Sequence, residues 1–167
     1  MAEIVRVYRQ EIPAMRFIGK KYGDDGRWGE WFANDWFRTV EDAMGGEPAA
    51  HAVYEDGDAY LGLRRFKEGE PFEYWIGEFA PAGTQPPEGF AFVDIPAGAL
   101  GVCWLYGTQE SVWSLVDECA GKLAEAGLEI LTAADGGLWS LERAGCPRFT
   151  TPDEKGNIIL DYCYFVR

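Results

Sequence analysis

One acidic residue, Glu142, lies in the mainly apolar segment Leu138-Trp-Ser-Leu-Glu-Arg143. In an extended strand successive side chains point to opposite faces, so Leu138, Ser140 and Glu142 share one face. A carboxylate in an apolar cleft is desolvated, which disfavours its ionised form unless a cation binds beside it. Such a group can act as the counter-charge for a cation or as an acid or base. The alternative is a strand glutamate that faces solvent.

Aromatic residues on strand segments could supply the walls of such a cleft. Tyr162 and Tyr164 share one face of the last segment, and Trp104 and Tyr106 share one face of an earlier one. Trp104 would stabilise a desolvated cation by about 1 to 2 kcal/mol. The alternative is that these rings belong to the core, and the pattern leaves open which of the two tyrosines faces inward. The predicted ligand-binding residues are Glu142, Trp36, Trp75, Trp104, Tyr106, Tyr162 and Tyr164.

A repeated motif indicates how the chain positions these residues. Glu11-Ile-Pro-Ala14 returns as Asp94-Ile-Pro-Ala97, an offset of 83 residues from position 11 to position 94 in a chain of 167. A repeat of half the chain length predicts one duplicated domain, 1–167, with pseudo-repeats of about 1–80 and 88–167. We expect an α+β fold in which duplicated β-α-β-β units form an antiparallel sheet with two main helices and a central cleft.

Two helices are predicted, one after each copy of the motif. The first runs from about Arg27 to Met44, with Asp24 or Asp25 as its cap and Gly45-Gly46 at its end. Its main apolar stripe, spaced by four residues, is Trp28, Phe32, Trp36, Val40 and Met44. Trp31 and Phe37 lie off this stripe and could flank a cleft. The second helix has Thr108 as its cap, ends at Gly127 and has the stripe Val112, Val116, Cys119, Leu123 and Ala126.

Strands are predicted where β-favouring residues are bounded by turn residues. Pro13 and Pro96 interrupt the extended segments at equivalent points, which is typical of sheet edges or bulges. The predicted strands are 4–10, 14–22, 50–55, 59–66, 72–79, 89–95, 97–106, 129–132, 138–143 and 157–166.

The charge balance excludes some classes of partner. The chain has 15 Lys and Arg residues against 28 Asp and Glu, a net charge of -13. Direct binding to nucleic acid is therefore not expected, because that binding depends on basic residues that neutralise phosphates. A negative field would instead concentrate cationic ligands. The alternative is that the charge serves solubility alone.

Metal and cofactor chemistry lack sequence support. The four cysteines, at 103, 119, 146 and 163, form no C-x-x-C pair, and His51 is the one histidine. A structural zinc site is therefore not expected. Nucleotide-binding glycine motifs and a serine–histidine triad are missing, so no cofactor is predicted. No leader or membrane-spanning segment is recognised, and we expect a cytoplasmic protein.

Several short motifs follow one another along nearly the whole chain. They are Glu11-Ile-Pro-Ala-Met-Arg-Phe-Ile-Gly19, Tyr74-Trp-Ile-Gly77, 89–97 from Gly-Phe to Ile-Pro-Ala, Leu141-Glu-Arg143, Arg148-Phe149 and 153–166. In this order the motifs resemble the gyrase-inhibitor-like (GyrI-like) family, which includes the effector-binding domains of multidrug-responsive transcription activators. Leu100 and Cys103 stand where family members often have aromatic residues.

The resemblance implies a central cleft that binds bulky aromatic or cationic compounds around a buried glutamate. Glu142 matches that glutamate, and Tyr162 or Tyr164 matches a tyrosine of the last strand. The leading hypothesis is a stand-alone multidrug-type binding protein without its own helix-turn-helix. The resemblance also implies two alternatives. One is a hydrolase that opens cyclopropane-containing genotoxic compounds with Glu142 and Tyr162, and the other is an acidic protein that docks a partner such as gyrase.

Overall fold

The computed structural model describes residues 1–24 and 26–167, and it confirms the predicted α+β class. The helices are α1 (Trp28–Ala33), α2 (Trp36–Ala43), α3 (Glu47–His51), a 3-10 helix (Ser111–Glu118) and α4 (Cys119–Glu125). The strands are β1 (Glu3–Ile12), β2 (Met15–Tyr22), β3 (Ala59–Phe66), β4 (Glu73–Pro81), β5 (Ala91–Ile95), β6 (Gly98–Gly107), β7 (Leu138–Gly145) and β8 (Ile158–Val166).

The sheet is built from two equivalent sets of strands. In the described part of the chain it has eight antiparallel strands in the order β1-β6-β8-β7-β3-β4-β2-β5. One β-α-β-β unit supplies β2, β3 and β4, and the other supplies β6, β7 and β8. Each remaining strand crosses to the other unit, so β1 pairs with β6 and β5 pairs with β2. The two units meet where β3 pairs with β7.

The repeated Ile-Pro-Ala motif forms the corners that make this crossing. Pro13-Ala14 joins β1 to β2, although these strands lie six places apart in the sheet. In a flat sheet that separation would be about 29 Å, whereas this connection spans at most about 11 Å. The sheet must therefore curl until its edges approach each other. Ile12 and Ile95, which precede the two prolines, are buried in the core that the curled sheet encloses.

The helices cover the outer face of the sheet in two separate places. Helices α1 and α2 pack on β2 and β4 through a cluster that includes Trp31, Phe37 and Ile76. The 3-10 helix and α4 pack on β6 and β8 through a cluster that includes Val112 and Leu123. The central strands β3 and β7 lie between these two clusters. This arrangement forms the expected cleft along the junction of the two units.

Three details of the helix and strand predictions are wrong. The first predicted helix is broken at Asp35, whose φ of 53° lies in the left-handed region, so α1 and α2 are separate. Residues 50–55 do not form a strand, because α3 and the turns after it occupy this part of the chain. Residues 129–132 contribute an isolated bridge from Ile130 to Val166 in place of a strand. The suggested cap Asp25 lies outside the described residues.

The second predicted helix is present but starts differently. Its first eight residues are 3-10 helix, and α4 follows without a gap. The predicted cap, Thr108, lies just before this helix, and its hydroxyl accepts a hydrogen bond from the Ser111 N–H at 3.1 Å. The N-cap position itself is Glu110, whose side chain makes no capping bond. Gly127 follows the helix with a φ of 80°, which is the conformation expected of a glycine that ends a helix.

Candidate ligand-binding site

Glu142 lies on β7 at the centre of the sheet, between Gly62 of β3 and Tyr162 of β8. Strand alternation places its side chain on the outer face, in the gap between the two helical clusters. It is only 5% exposed. The acid that the sequence singled out is therefore a buried carboxylate in the cleft.

The Glu142 carboxylate has polar partners on β3 and on β4, the strand beyond it. Tyr74 of β4 donates a hydrogen bond to Oε1, and the indole of Trp28 donates one to the Tyr74 hydroxyl at 2.9 Å. Burial and the negative charge of Glu142 raise the pKa of Tyr74, so this hydroxyl remains a donor. Arg64 of β3 forms an ion pair with Oε2 at 2.9 Å. The cleft thus contains an ion pair and a tyrosine where the sequence analysis expected a solitary acid.

A glycine makes room for this arrangement. Gly62 lies opposite Glu142 in the register of β3 and β7. A Cβ atom at position 62 would collide with the Tyr74 hydroxyl and with the Glu142 carboxylate. Any side chain at this position would therefore push apart the two groups that meet at the floor of the cleft.

An aromatic cavity of about 430 Å³ opens above the carboxylate. Phe32 and Trp113 are large rings that remain 61% and 41% exposed, so they leave apolar surface for a ligand. A connected space of about 220 Å³ is bordered by Trp28, Tyr74, Trp113 and Glu142. The lining of the larger cavity is Trp28, Phe32, Tyr60, Gln109, Trp113, Glu142, Ala144, Phe149, Thr150 and Leu160.

Two of the predicted wall residues lie on the other face of the sheet. Cys103 pairs with Tyr162, which pairs with Glu142, so these three side chains share a face. The next residue, Trp104, therefore points away from the cleft and donates a hydrogen bond to the Tyr8 hydroxyl at 3.2 Å. Tyr106 shares the face of Trp104. Trp104 and Tyr106 therefore do not line the cleft, and their prediction as cleft residues was wrong.

The other two predicted tryptophans also lie elsewhere. Trp75 points into the core inside the curled sheet, because it alternates with Tyr74 on β4. Trp36 packs edge-to-face on Trp31 at 5.7 Å, with the Lys20 ammonium 4.4 Å from its ring centroid. Neither ring lines the aromatic cavity.

Both tyrosines of the last strand are on the cleft face, but their contacts differ. Tyr162 is buried, and its hydroxyl shares a hydrogen bond of 2.9 Å with Ser140. Tyr164 is half-buried and contacts the Tyr162 ring edge-to-face at 5.7 Å. The Arg64 guanidinium lies 5.8 Å from the Tyr162 ring centroid. Tyr74, which donates a hydrogen bond to Glu142, was not assigned to the site by the sequence analysis.

No site for a metal is found in residues 1–24 and 26–167: no three His, Cys, Asp or Glu side chains are arranged to hold an ion. Across the same residues, the helices are too short or too polar to span a bilayer.

Comparison of the sequence with protein-family models and with curated proteins gives no match. Solved structures do resemble this chain. SAV2435 bound to tetraphenylphosphonium has a TM-score of 0.58 at 12% identity, over 98% of this chain and 94% of that chain. A Staphylococcus aureus MU50 protein described under bacterial transcription regulation has a TM-score of 0.52 at 14% identity, over 97% and 98%. A hydrolase from Listeria innocua has a TM-score of 0.51 at 12% identity, over 97% and 92%. At these identities the likeness concerns the fold alone.

Proposed function

We propose that this protein binds bulky aromatic cations in the cleft, with Glu142 as the counter-charge. The observation that carries the proposal is the position of a buried carboxylate at the floor of an aromatic cavity of about 430 Å³. A delocalised cation can stack on the exposed faces of Phe32 and Trp113 while the Glu142 carboxylate at the cavity floor balances its charge. The similar fold of SAV2435, which was solved with tetraphenylphosphonium bound, supports this ligand class.

Arg64 sets the selectivity of such a site. It pairs with Glu142 at 2.9 Å, and its guanidinium lies 5.6 Å from the Tyr74 ring centroid. A cationic ligand must displace this side chain or share the carboxylate with it. Small, strongly hydrated cations gain too little from the cavity walls to do so, whereas a large aromatic cation also buries apolar surface. The resident arginine therefore favours bulky over small cations.

The test is calorimetric titration of tetraphenylphosphonium and of the neutral triphenylmethanol. We expect Glu142→Gln to weaken binding of the cation by about 10- to 100-fold, or about 1.4 to 2.8 kcal/mol, and binding of the alcohol by less than about threefold. Arg64→Gln removes a competing cation and should tighten binding of tetraphenylphosphonium. Equal losses for both ligands in Glu142→Gln would reject the counter-charge role.

A second candidate function is hydrolysis of a strained electrophile such as a cyclopropane. The observation that favours it is the hydrogen bond from Tyr74 to Glu142 beside the cavity. Glu142 would accept a proton from water as the water oxygen bonds to a ring carbon and a ring C–C bond breaks. The electron pair of that bond goes to the released carbon, which takes up the proton from Glu142, and Tyr74 would orient the carboxylate. The expected result is ring opening, detected by mass spectrometry and lost in Glu142→Gln. Unchanged substrate at high protein concentration would leave binding as the function.

A further inference from the structure

A second cavity, of about 180 Å³, lies beside the edge strand β5. Its wall includes Val93 and Ile95 of β5, Trp139 of β7 and Phe165 of β8. All four side chains belong to the core inside the curled sheet or pack against it. The cavity therefore lies on the inner face of the sheet, whereas Glu142 and the cleft lie on the outer face.

The duplicated fold allows this cavity to be compared with the corresponding part of the first unit. Phe17 of β2 and Leu100 of β6 have the same place after the repeated Ile-Pro-Ala motif, from position 12 to 17 and from position 95 to 100. Phe17 pairs with Phe79 of β4, and Leu100 pairs with Phe165. Phe79 of the first unit therefore corresponds to Phe165 of the second.

In the first unit, side chains of the protein close the sheet edge beside Phe79. The Tyr54 ring, from the segment before β3, packs edge-to-face on Phe79 with 5.6 Å between centroids, and it contacts the core. The Gln10 amide of β1 donates a hydrogen bond to Asp56 Oδ2 at 2.6 Å. This bond joins β1 to the segment that carries Tyr54.

The second unit has smaller and less polar residues in these places. The segment before β7 brings Ala133, which has only a methyl group, to the cavity beside Phe165. On β5, Val93 corresponds to Gln10 by the offset of 83 residues, so the polar contact of the first unit is replaced by an apolar wall. The space that remains is about as large as the aromatic ring that Tyr54 supplies in the first unit.

Backbone hydrogen bonds hold the wall of this cavity in place. The Leu131 N–H donates to the Phe165 carbonyl at 2.9 Å, and the Ala133 N–H donates to the Gly137 carbonyl at 2.8 Å. Binding to a preformed wall avoids the cost of ordering it. An apolar cavity of about 150 Å³ is large enough for benzene. The cavity beside β5, at about 180 Å³, therefore has room for one substituted aromatic ring.

The charges at the cavity disfavour an ionic ligand. Among the described residues that line it, only Asp94 is charged. Arg16 donates hydrogen bonds to both carboxylate oxygens of Asp94, at 2.7 Å and 3.2 Å, so this carboxylate already has its counter-charge. An anion would find no basic partner in the wall, and the net charge of -13 opposes its approach.

We propose that this cavity is a second ligand site, which binds a neutral aromatic molecule with a single ring. The ring lies against Trp139 and Phe165, in the place that corresponds to Tyr54 in the first unit. A suitable probe is p-cresol, which is the side chain of tyrosine as a free molecule. Burial of its apolar surface predicts a Kd of about 1 mM. The inference concerns the inner face of the sheet and does not rest on the proposed function.

The experiment is titration of the ¹⁵N-labelled full chain with p-cresol at pH 7, followed by NMR of the backbone and indole N–H groups. We expect the resonances of Val93, Thr132, Ala133 and Trp139 to shift together. The anion p-toluate, which has a carboxylate in place of the hydroxyl, should bind at least about tenfold more weakly, because its charge would be buried without a partner.

Three variants test whether the ring occupies this space. Ala133→Tyr supplies a tethered ring, as Tyr54 does in the first unit, and should weaken p-cresol binding at least about tenfold. Ala134→Tyr is the matched control, because it adds the same side chain at an exposed neighbour that does not line the cavity. Binding to this control should stay within about twofold of the parent value. Val93→Gln restores the residue of the first unit and should weaken binding about 3- to 10-fold, because an amide replaces apolar wall.

Several results would overturn the inference. They are p-cresol binding that persists at full strength in Ala133→Tyr, an equal loss in Ala134→Tyr, equal affinity for p-toluate, and shifts at the cleft residues Trp28 or Trp113 without a shift at Trp139. Glu142→Gln should leave the Kd of p-cresol at Trp139 unchanged. Tetraphenylphosphonium is too large for this cavity, so saturation with it should not displace p-cresol. Failure of either ligand to bind therefore leaves the other site standing.

Discussion

Glu142 and Arg143 are consecutive residues of β7, both buried and charged, but their surroundings differ. Arg143 points inside the curled sheet, where it bonds to Asp161 at 2.7 Å and to Gln10 at 2.9 Å and forms an ion pair with Asp56 at 3.2 Å. Arg148 bonds to the same two aspartates. Glu142 also has polar partners, but it borders a cavity.

The difference shows how a buried charge can be interpreted. Where protein groups surround the charge on every side, it holds the fold together and leaves no space for a ligand. Where the charge borders a cavity, a ligand or water can enter and replace one of its partners. Removal of a partner should therefore be costly on the Arg143 face and tolerated on the Glu142 face.

The largest expected effect comes from matched arginine substitutions on the two faces. Arg143→Met should lower the free energy of unfolding by about 3 to 5 kcal/mol. The substitution removes the bonds from Arg143 to Asp161, and the Asp161 carboxylate stays buried without them. Arg64→Met removes the guanidinium that pairs with Glu142 but leaves the Tyr74 hydrogen bond and lets water reach the carboxylate, so a loss below about 1 kcal/mol is expected. Urea unfolding followed by tryptophan fluorescence measures both. Equal losses would mean that the two faces do not differ as argued.

The second prediction concerns the close packing at the cleft floor. Gly62→Ala should cost about 1 to 3 kcal/mol of stability, because the new methyl group forces Tyr74 and Glu142 apart. It should also weaken tetraphenylphosphonium binding by at least about tenfold, if the counter-charge is displaced. Gly98→Ala is the matched control, since a Cβ at this exposed strand glycine meets no atom within 4 Å. If the Gly62→Ala protein binds tetraphenylphosphonium as tightly as the parent protein, the packing of Gly62 against Tyr74 and Glu142 does not position the counter-charge.

The third prediction is a pH dependence of stability on the Arg143 face. Burial opposes ionisation of Asp56, but Arg143 and Arg148 outweigh it and lower the pKa of Asp56 below its ordinary value of 3.8. The contribution of Asp56 to the free energy of unfolding is therefore present above pH 3.8. It is lost as the pH falls through the lower pKa that Asp56 has in the folded protein. Asp56→Asn should cost about 1 to 2 kcal/mol at pH 7. Urea unfolding should show that the difference in unfolding free energy between this variant and the parent protein becomes smaller below pH 3.8. A difference that stays constant with pH would contradict the stabilising role of the ionised Asp56.

The sequence predicted the fold because its repeat and its turn residues are local signals. The corners at Pro13 and Pro96, the alternation around Glu142 and the glycines after the helices all have geometric consequences that short segments determine. The family resemblance pointed to the same glutamate. The partners of that glutamate could not be derived in this way, because Arg64 and Tyr74 reach it from strands whose register depends on the whole sheet.

The walls of the cleft were mispredicted for two physical reasons. The left-handed Asp35 shifts the phase between α1 and α2, so Trp28 and Phe32 line the cavity while Trp31 is buried. On β6, the face with small residues such as Cys103 packs against α4, because a helix approaches small side chains more closely. The larger Trp104 is left for the opposite face.

The smallest expected effect comes from a comparison of two tryptophans. Trp113 lines the cavity, whereas Trp104 was predicted to line it but does not. Trp113→Ala should weaken tetraphenylphosphonium binding by about 1 kcal/mol, roughly fivefold, with little loss of stability, because its ring is 41% exposed. Trp104→Ala should leave binding unchanged and lower stability by about 2 kcal/mol, because the ring packs on the core and bonds to Tyr8. Calorimetry and urea unfolding on both variants measure these effects. If Trp104→Ala weakened binding more than Trp113→Ala, the ligand would lie on the Arg143 face and the comparison of the two faces would be reversed.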